Sequence, residues 1–87
     1  MGRGKAEKPK RLNWKLRELR LKLAMSHKEM YEALAAQKVK VHLGYISLFE
    51  IGERVPSLLV LLAYSNISGI SINLLVDDSL DLPEQLP

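Results

Sequence analysis

Cysteine is absent, so neither a disulfide nor a thiolate metal site can supplement the core. No apolar run approaches the ~20 residues needed to cross a bilayer. The basic N-terminus, MGRGKAEK, lacks the apolar stretch of a secretory signal and reads as a tail, not an export address. His27 and His42 are too few and too isolated to build a metal site. No Ser-His-Asp arrangement, phosphate-cradling glycine loop or paired-carboxylate site is discernible, which argues against an enzyme. Glu29 and Glu32 are better explained as a helix cap and a solvated face than as acid–base groups. No cofactor, metal or small-molecule effector site is legible. The expectation is a soluble cytoplasmic protein of one small domain, its 47% apolar fraction sufficient for a single core.

Basic residues are also missing from the second half. All 13 Lys and Arg lie between Arg3 and Arg54. Six acids accompany them, and Asp77, Asp78, Asp81 and Glu84 follow. The overall +3 thus conceals a basic half joined to an acidic tail. Such a split points to a polyanion on one side of the molecule, or to an ordinary solvated surface.

Along the chain, residues 1–8 lack apolar periodicity and read as a flexible basic arm. Pro9 suits a first helical turn, and Leu12, Leu16, Leu19 and Leu23 form a helical stripe, predicting a first helix from Pro9 to Leu23. Trp14 lies off that stripe and either covers a core edge or meets a partner. Ser26-His27-Lys28-Glu29 fits a capping box, predicting a second helix over His27–Ala36 with Met30, Ala33 and Leu34 buried. Gln37 to His42 alternates Val and Lys in a strand-like period. With no partner strand in the chain, it is expected to be an extended loop with Lys38 and Lys40 facing solvent. A third helix follows from Gly44 to Ile51, with Ile46 and Phe49 inward and Gly52 as a left-handed stop. Ser57 is the expected cap of a fourth helix, with Leu58, Leu61, Leu62 and Ser65 inward and Gly69 at its end. Ser71 caps a short fifth helix, Ile72 to Val76. Residues 77–87 are expected to be extended or disordered. No internal repeat or low-complexity block is present.

The residues Leu16-Arg17-Glu18-Leu19-Arg20, Met25-Ser26-His27-Lys28-Glu29-Met30 and Ile46-Ser47-Leu48-Phe49-Glu50-Ile51-Gly52-Glu53-Arg54-Val55-Pro56-Ser57-Leu58, with Gly69-Ile70-Ser71-Ile72 and Leu75, carry a resemblance. Together they resemble the lambda-repressor-like, Cro-type (XRE) helix-turn-helix family over about two-thirds of the chain, Leu16 to Val76. The ending, Leu74 to Pro83, is similar to that of a bacterial subgroup with an acidic Leu-Asp-Leu-Pro tail. The resemblance implies an all-α, compact five-helix lambda-repressor-like DNA-binding domain over residues 9–76, with an arm at 1–8 and a tail at 77–87. It implies that the third helix lies in the major groove of double-stranded DNA while the second crosses the backbone. It further implies a scaffold ion pair between Arg20 and Glu50, and a turn at Gly52 to Arg54 placed beside phosphate.

Two features depart from the family pattern. The connection between the second and third helices is extended by about five residues, Ala36 to Lys40, as in the subgroup just named. The outward start of the third helix comprises His42, Leu43, Gly44 and Tyr45, then Ser47 and Leu48. Of these only His42, Tyr45 and Ser47 can hydrogen-bond to base edges, while Leu43 and Leu48 suit thymine methyls.

The candidate DNA-binding residues are therefore His27, Lys28, Lys38, Lys40, His42, Leu43, Gly44, Tyr45, Ser47, Leu48 and Arg54. Lys28, Lys38, Lys40 and Arg54 are the expected phosphate contacts. His27 either bonds phosphate or base, or is simply exposed. Arg3, Lys5, Lys8, Lys10 and Arg11 either form an arm along phosphate or a minor groove, or a tail with no fixed role. Leu59, Leu62, Ile72, Leu80 and Leu82 exceed the needs of a five-helix core. They mark either a homodimer interface or a patch that the tail covers. The expected function is operator binding in transcription, repression before activation. The rival is a protein-interaction module on the same fold, such as an antitoxin or adaptor.

Overall fold

The computed structural model describes residues 9–87; the arm expected at 1–8, with Arg3, Lys5 and Lys8, lies outside the described residues. Five α-helices and no strand are found among them: α1 Leu12–Lys22, α2 His27–Ala36, α3 Leu43–Ile51, α4 Leu58–Ser68 and α5 Ile72–Val76. No helix among the described residues is long and apolar enough to cross a membrane.

The stripe of α1 supplies Leu12, Leu16 and Leu19, all buried. They meet Met30 and Leu34 of α2, Ile46 and Phe49 of α3, Val60, Leu61 and Tyr64 of α4 and Leu75 of α5 in one core. Each such side chain contributes about 1.5–3 kcal/mol on burial. α3 packs on α1 and α2, α4 on α2 and α5, and α5 closes back on α1.

Local chemistry sets most helix ends. At α2 the Ser26 hydroxyl accepts from the Glu29 amide (3.0 Å), and the Glu29 carboxylate accepts from the Ser26 amide (2.8 Å). Gly52 (φ +83°) and Gly69 (φ +78°) stop α3 and α4 in the left-handed region, where a Cβ is unfavourable. α1 and α2 stop the same way without glycine. Ala24 (φ 57°) and Lys38 (φ 64°) occupy that region, and the next residues bond back to Arg20 and Leu34 carbonyls.

α1 begins later than expected, at Leu12 rather than Pro9. The Lys10 and Arg11 amides donate instead to the Asp78 carboxylate, at 2.8 and 3.0 Å. A carboxylate from the far end of the chain thus satisfies the donors that open the helix. α3 starts one residue earlier than expected, at Leu43.

The inward face of α4 also differs from expectation. Leu58 (72% exposed) and Leu62 (46% exposed) point outward, whereas Val60, Leu61, Ala63, Tyr64 and Ser68 are buried. The run Leu58-Leu59-Val60-Leu61-Leu62 is apolar on every side, so periodicity fits either register. The volume of Tyr64, wholly buried in the core, accompanies the observed one.

Residues 77–87 are largely extended and dock along α1. The Arg11 guanidinium donates to the Asp78 carbonyl (2.8 Å) and to the Asp81 carboxylate (2.6 Å). Lys22 reaches the Glu84 carbonyl (2.9 Å). Lys15, fully buried, donates to three carbonyls: Leu74 (2.7 Å), Asp77 (2.9 Å) and Leu80 (2.7 Å). It therefore caps the end of α5 with a positive charge, the favourable sign for a helix C-terminus. Burial and the nearby Arg11 lower its pKa, against the opposing pull of Asp78, Asp81 and Asp77. Leu82 and Ile72 are partly covered and packed on the core, whereas Leu59 and Leu62 remain exposed. Trp14, half exposed, shares a shallow groove with Leu82.

Candidate nucleic-acid interface

α2, the loop after it, and α3 assemble around one buried ion pair. Arg20 of α1 donates from Nε to Glu50 Oε2 at 2.7 Å and from Nη2 to Oε1 at 3.0 Å. Its Nη1 donates to the Met25 carbonyl at 2.9 Å. The pair ties α3 to α1 and to the corner that precedes α2, and hydrogen bonding to Glu50 raises the arginine's pKa further. Leaving either charge alone would be costly at this depth. His27 closes the same group from the first turn of α2, with Nε2 3.5 Å from Glu50 Oε1. That histidine is half exposed yet turned toward the scaffold.

Just beneath the pair lies Tyr64, whose buried hydroxyl finds no hydrogen-bond partner among the described residues. Burial, with the Glu50 charge second, pushes its pKa far up. The phenol therefore stays neutral.

The outer face of α3 follows from helical geometry. Leu43, Gly44, Ser47, Leu48 and Ile51 fall on one side, opposite the buried Ile46, Phe49 and Glu50. Leu43, Gly44, Ser47 and Ile51 are exposed and Leu48 is half-buried. A Cβ at Gly44 would meet open space, so this glycine is not required by packing. His42 is exposed at the N-cap of α3 and makes no side-chain capping bond. Its ring meets Tyr45 edge-on at 4.9 Å. Tyr45 is half-buried rather than fully outward, because its ring also packs edge-on to Phe49 at 6.2 Å.

Exposed cations stand on the segments before and after α3 and on α2. The Arg54 guanidinium lies over the Tyr45 ring, 3.8 Å from its centroid, a contact worth about 0.5–1 kcal/mol at an exposed position. Lys38 and Lys40 are exposed on the loop entering α3, with Val39 and Val41 half-buried between and beyond them. The alternation noted in the sequence is thus an anchored loop, its valines inward and its lysines outward. Lys28 is exposed on the first turn of α2. None of Lys28, Lys38, Lys40 and Arg54 has an ion-pair partner among the described residues. By contrast, Arg11 and Lys15 of the basic half are engaged by the tail. The charge split is therefore partly internal, and the exposed cations without an ion-pair partner among the described residues include Arg17 of α1 as well as Lys28, Lys38, Lys40 and Arg54.

The structure thus brings Tyr45, His42 and Arg54 into one cluster and Arg20, Glu50 and His27 into another. Lys28, Lys38, Lys40, Leu43, Gly44 and Ser47 stand separately on the surface. Sequence reasoning missed the Arg54–Tyr45 stack and the exposure of Ile51 (65%). The helical position of Ile51, on the side of Leu43 and Ser47, was the available signal for the latter. No family model, curated protein or solved structure matches the chain.

Proposed function

We propose that the protein is a duplex-DNA-binding transcriptional regulator, with α2 and α3 acting as a lambda-repressor-like helix-turn-helix in a cytoplasmic repressor that pairs as a homodimer. In this reading α3 enters the major groove, α2 crosses the backbone, and two copies present their α3 helices about 34 Å apart. Catalysis has no part in it. The observation that carries the reading is a set of exposed cations on α2, on the loop entering α3 and on the turn after it, Lys28, Lys38, Lys40 and Arg54, none with an ion-pair partner among the described residues, around a helix tied to α1 by the Arg20–Glu50 pair. Cations so placed suit phosphate on either side of a groove. His42, Tyr45 and Ser47 supply the hydrogen-bonding groups for base edges, and Leu43 and Leu48 the apolar ones. His27, held toward Glu50, steadies the start of α2.

A second reading, a protein-interaction module on the same fold, is favoured by a different observation. Ile51, Val55, Leu58, Leu59 and Leu62 are all exposed in the segment running from the end of α3 into α4.

Fluorescence anisotropy of random-sequence duplex DNA titrated against salt separates the two. The DNA reading expects log affinity to fall linearly with log salt, with a slope of roughly −2 to −4 for two to four phosphates contacted. Arg54→Ala is expected to weaken binding about equally for all sequences and to reduce the slope by about 1. Absence of binding even at low salt refutes the DNA reading and leaves the interaction module.

A further inference from the structure

The DNA reading leaves one cavity unused. A cleft of about 450 Å³ opens between the start of α1 and the turn joining α3 to α4. This lies within the size range of small-molecule sites, roughly 300–1,000 Å³. Its apolar lining comes from Pro9, Leu12, Phe49, Val55 and Pro56, and among the described residues its charged lining is Lys10 and Arg54. Leu12 and Phe49 are core residues, so the floor of the cleft is rigid. Glu53, adjacent in sequence to Arg54, does not line it. Asn13 adds an amide that donates to the Glu50 carbonyl at 3.4 Å, and its oxygen remains as an acceptor. Gly52 keeps the wall beside Asn13 thin, since a Cβ there would stand 3.5 Å from the Asn13 side chain.

We propose that this cleft binds a small amphipathic organic anion, an apolar ring system bearing one carboxylate. The lining supplies both halves of that recognition. Leu12, Phe49, Val55 and Pro56 desolvate the ring, and Lys10 and Arg54 meet the carboxylate with charge-assisted hydrogen bonds. In the sequence of residues 1–8, Arg3, Lys5 and Lys8 outnumber Glu7, so that segment lacks the net negative charge that Lys10 and Arg54 attract. Arg54 also serves as a phosphate contact in the DNA reading, so an occupied cleft lowers DNA affinity. That consequence rests on the DNA reading; the binding itself does not.

The test is an amide chemical-shift titration of the full chain, without DNA, using 1-naphthaleneacetate and its neutral amide as probes. The acid is expected to perturb the amides of Asn13, Gly52, Arg54 and Val55, and to bind about tenfold more tightly than the amide. Lys10→Glu and Arg54→Glu, both surface changes, are each expected to weaken the acid by about tenfold and the amide hardly at all. Equal affinity of acid and amide overturns the proposal. So do shifts centred on Leu58, Leu59 and Leu62, or no shifts at Asn13 and Gly52. A chain that binds the probe but not DNA refutes the DNA reading and leaves this site standing.

Discussion

Replacing Lys15 by methionine tests how the C-terminal tail is held. The substitution keeps an unbranched apolar stem of similar length and removes only the ammonium group. Three carbonyl oxygens, of Leu74, Asp77 and Leu80, then lose a donor at 2.7–2.9 Å. A hydrogen bond to a charged group is worth about 1.5–3 kcal/mol net. The three are not additive. Asp77 and Leu80 are exposed residues, and water can reach their carbonyls once the ammonium is gone. The Leu74 carbonyl, at the end of α5 and on a half-buried residue, has less recourse. Against this stands the removed cost of burying the ammonium, which offsets part of the loss. The balance is a destabilisation of about 2–4 kcal/mol. For a domain of this size each kcal/mol shifts Tm by about 4–8 °C. Thermal unfolding followed by circular dichroism should show the shift, and hydrogen exchange should show amides of residues 77–87 losing protection before those of α2 and α3. A loss below about 1 kcal/mol, or unchanged tail exchange, would mean that Lys15 fills space and clamps nothing.

Tyr64→Phe removes only the unpartnered buried hydroxyl and is expected to leave stability unchanged or raise it by up to about 1 kcal/mol. A lower urea midpoint at constant m-value would expose an unseen partner. Glu50→Ala strands the Arg20 guanidinium and is expected to cost about 3–5 kcal/mol, read from the same denaturation curves. A cost of surface-pair size, under about 1 kcal/mol, would contradict the burial argument. The pKa of Asp78 is lowered chiefly by the Lys10 and Arg11 amides, that of Asp81 by Arg11, and that of Asp77 by Ser79. Their native values are depressed, so their stabilisation is complete above the ordinary carboxylate value of 3.8 and fades as pH falls through the lower native values. Trp14, beside the tail, should report this undocking by fluorescence, and Asp78→Asn should weaken the transition; an identical acid profile would count against it.

Elements whose causes are local were legible in the sequence. The starts of α2 and α5 follow from Ser26, Glu29 and Ser71 acting within three or so residues, and Gly52 and Gly69 stop helices by their own backbone freedom. Contacts between distant segments were not legible. Asp78 caps α1 from 67 and 68 residues away, and no local pattern marks a carboxylate for that task. Lys15 sits in the α1 sequence like any solvated lysine until the tail folds over it. The face of α4 was ambiguous because five consecutive apolar residues satisfy two registers, and only the partner helices choose. Arg20 and Glu50, 30 residues apart, were linked through a family resemblance and not by pattern. The cleft beside Asn13 was invisible because its walls come from two segments far apart in the chain, 9–13 and 49–56.

The composition of α3 decides what kind of DNA reader this fold can be. Of the five residues on its outer side, Leu43, Gly44, Ser47, Leu48 and Ile51, only Ser47 carries a polar side chain. A bidentate contact to a base edge is worth about 1–3 kcal/mol of discrimination, and Ser47 cannot make one. His42 and Tyr45 stand at the border of that face, with the Tyr45 ring covered by Arg54. If the protein binds DNA as proposed, direct readout would therefore supply little, and discrimination would fall to apolar contacts with thymine methyls and to the deformability of the duplex. In the DNA reading, attachment would rest on Lys28, Lys38, Lys40 and Arg54, and phosphate contacts carry no sequence information of their own. This is why a salt titration, and not a search for a preferred sequence, separates the readings. A protein-binding module would share the apolar stripe. It would not require the salt-dependent attachment to duplex DNA that Lys38 and Lys40, outward on a loop whose valines are anchored, would support.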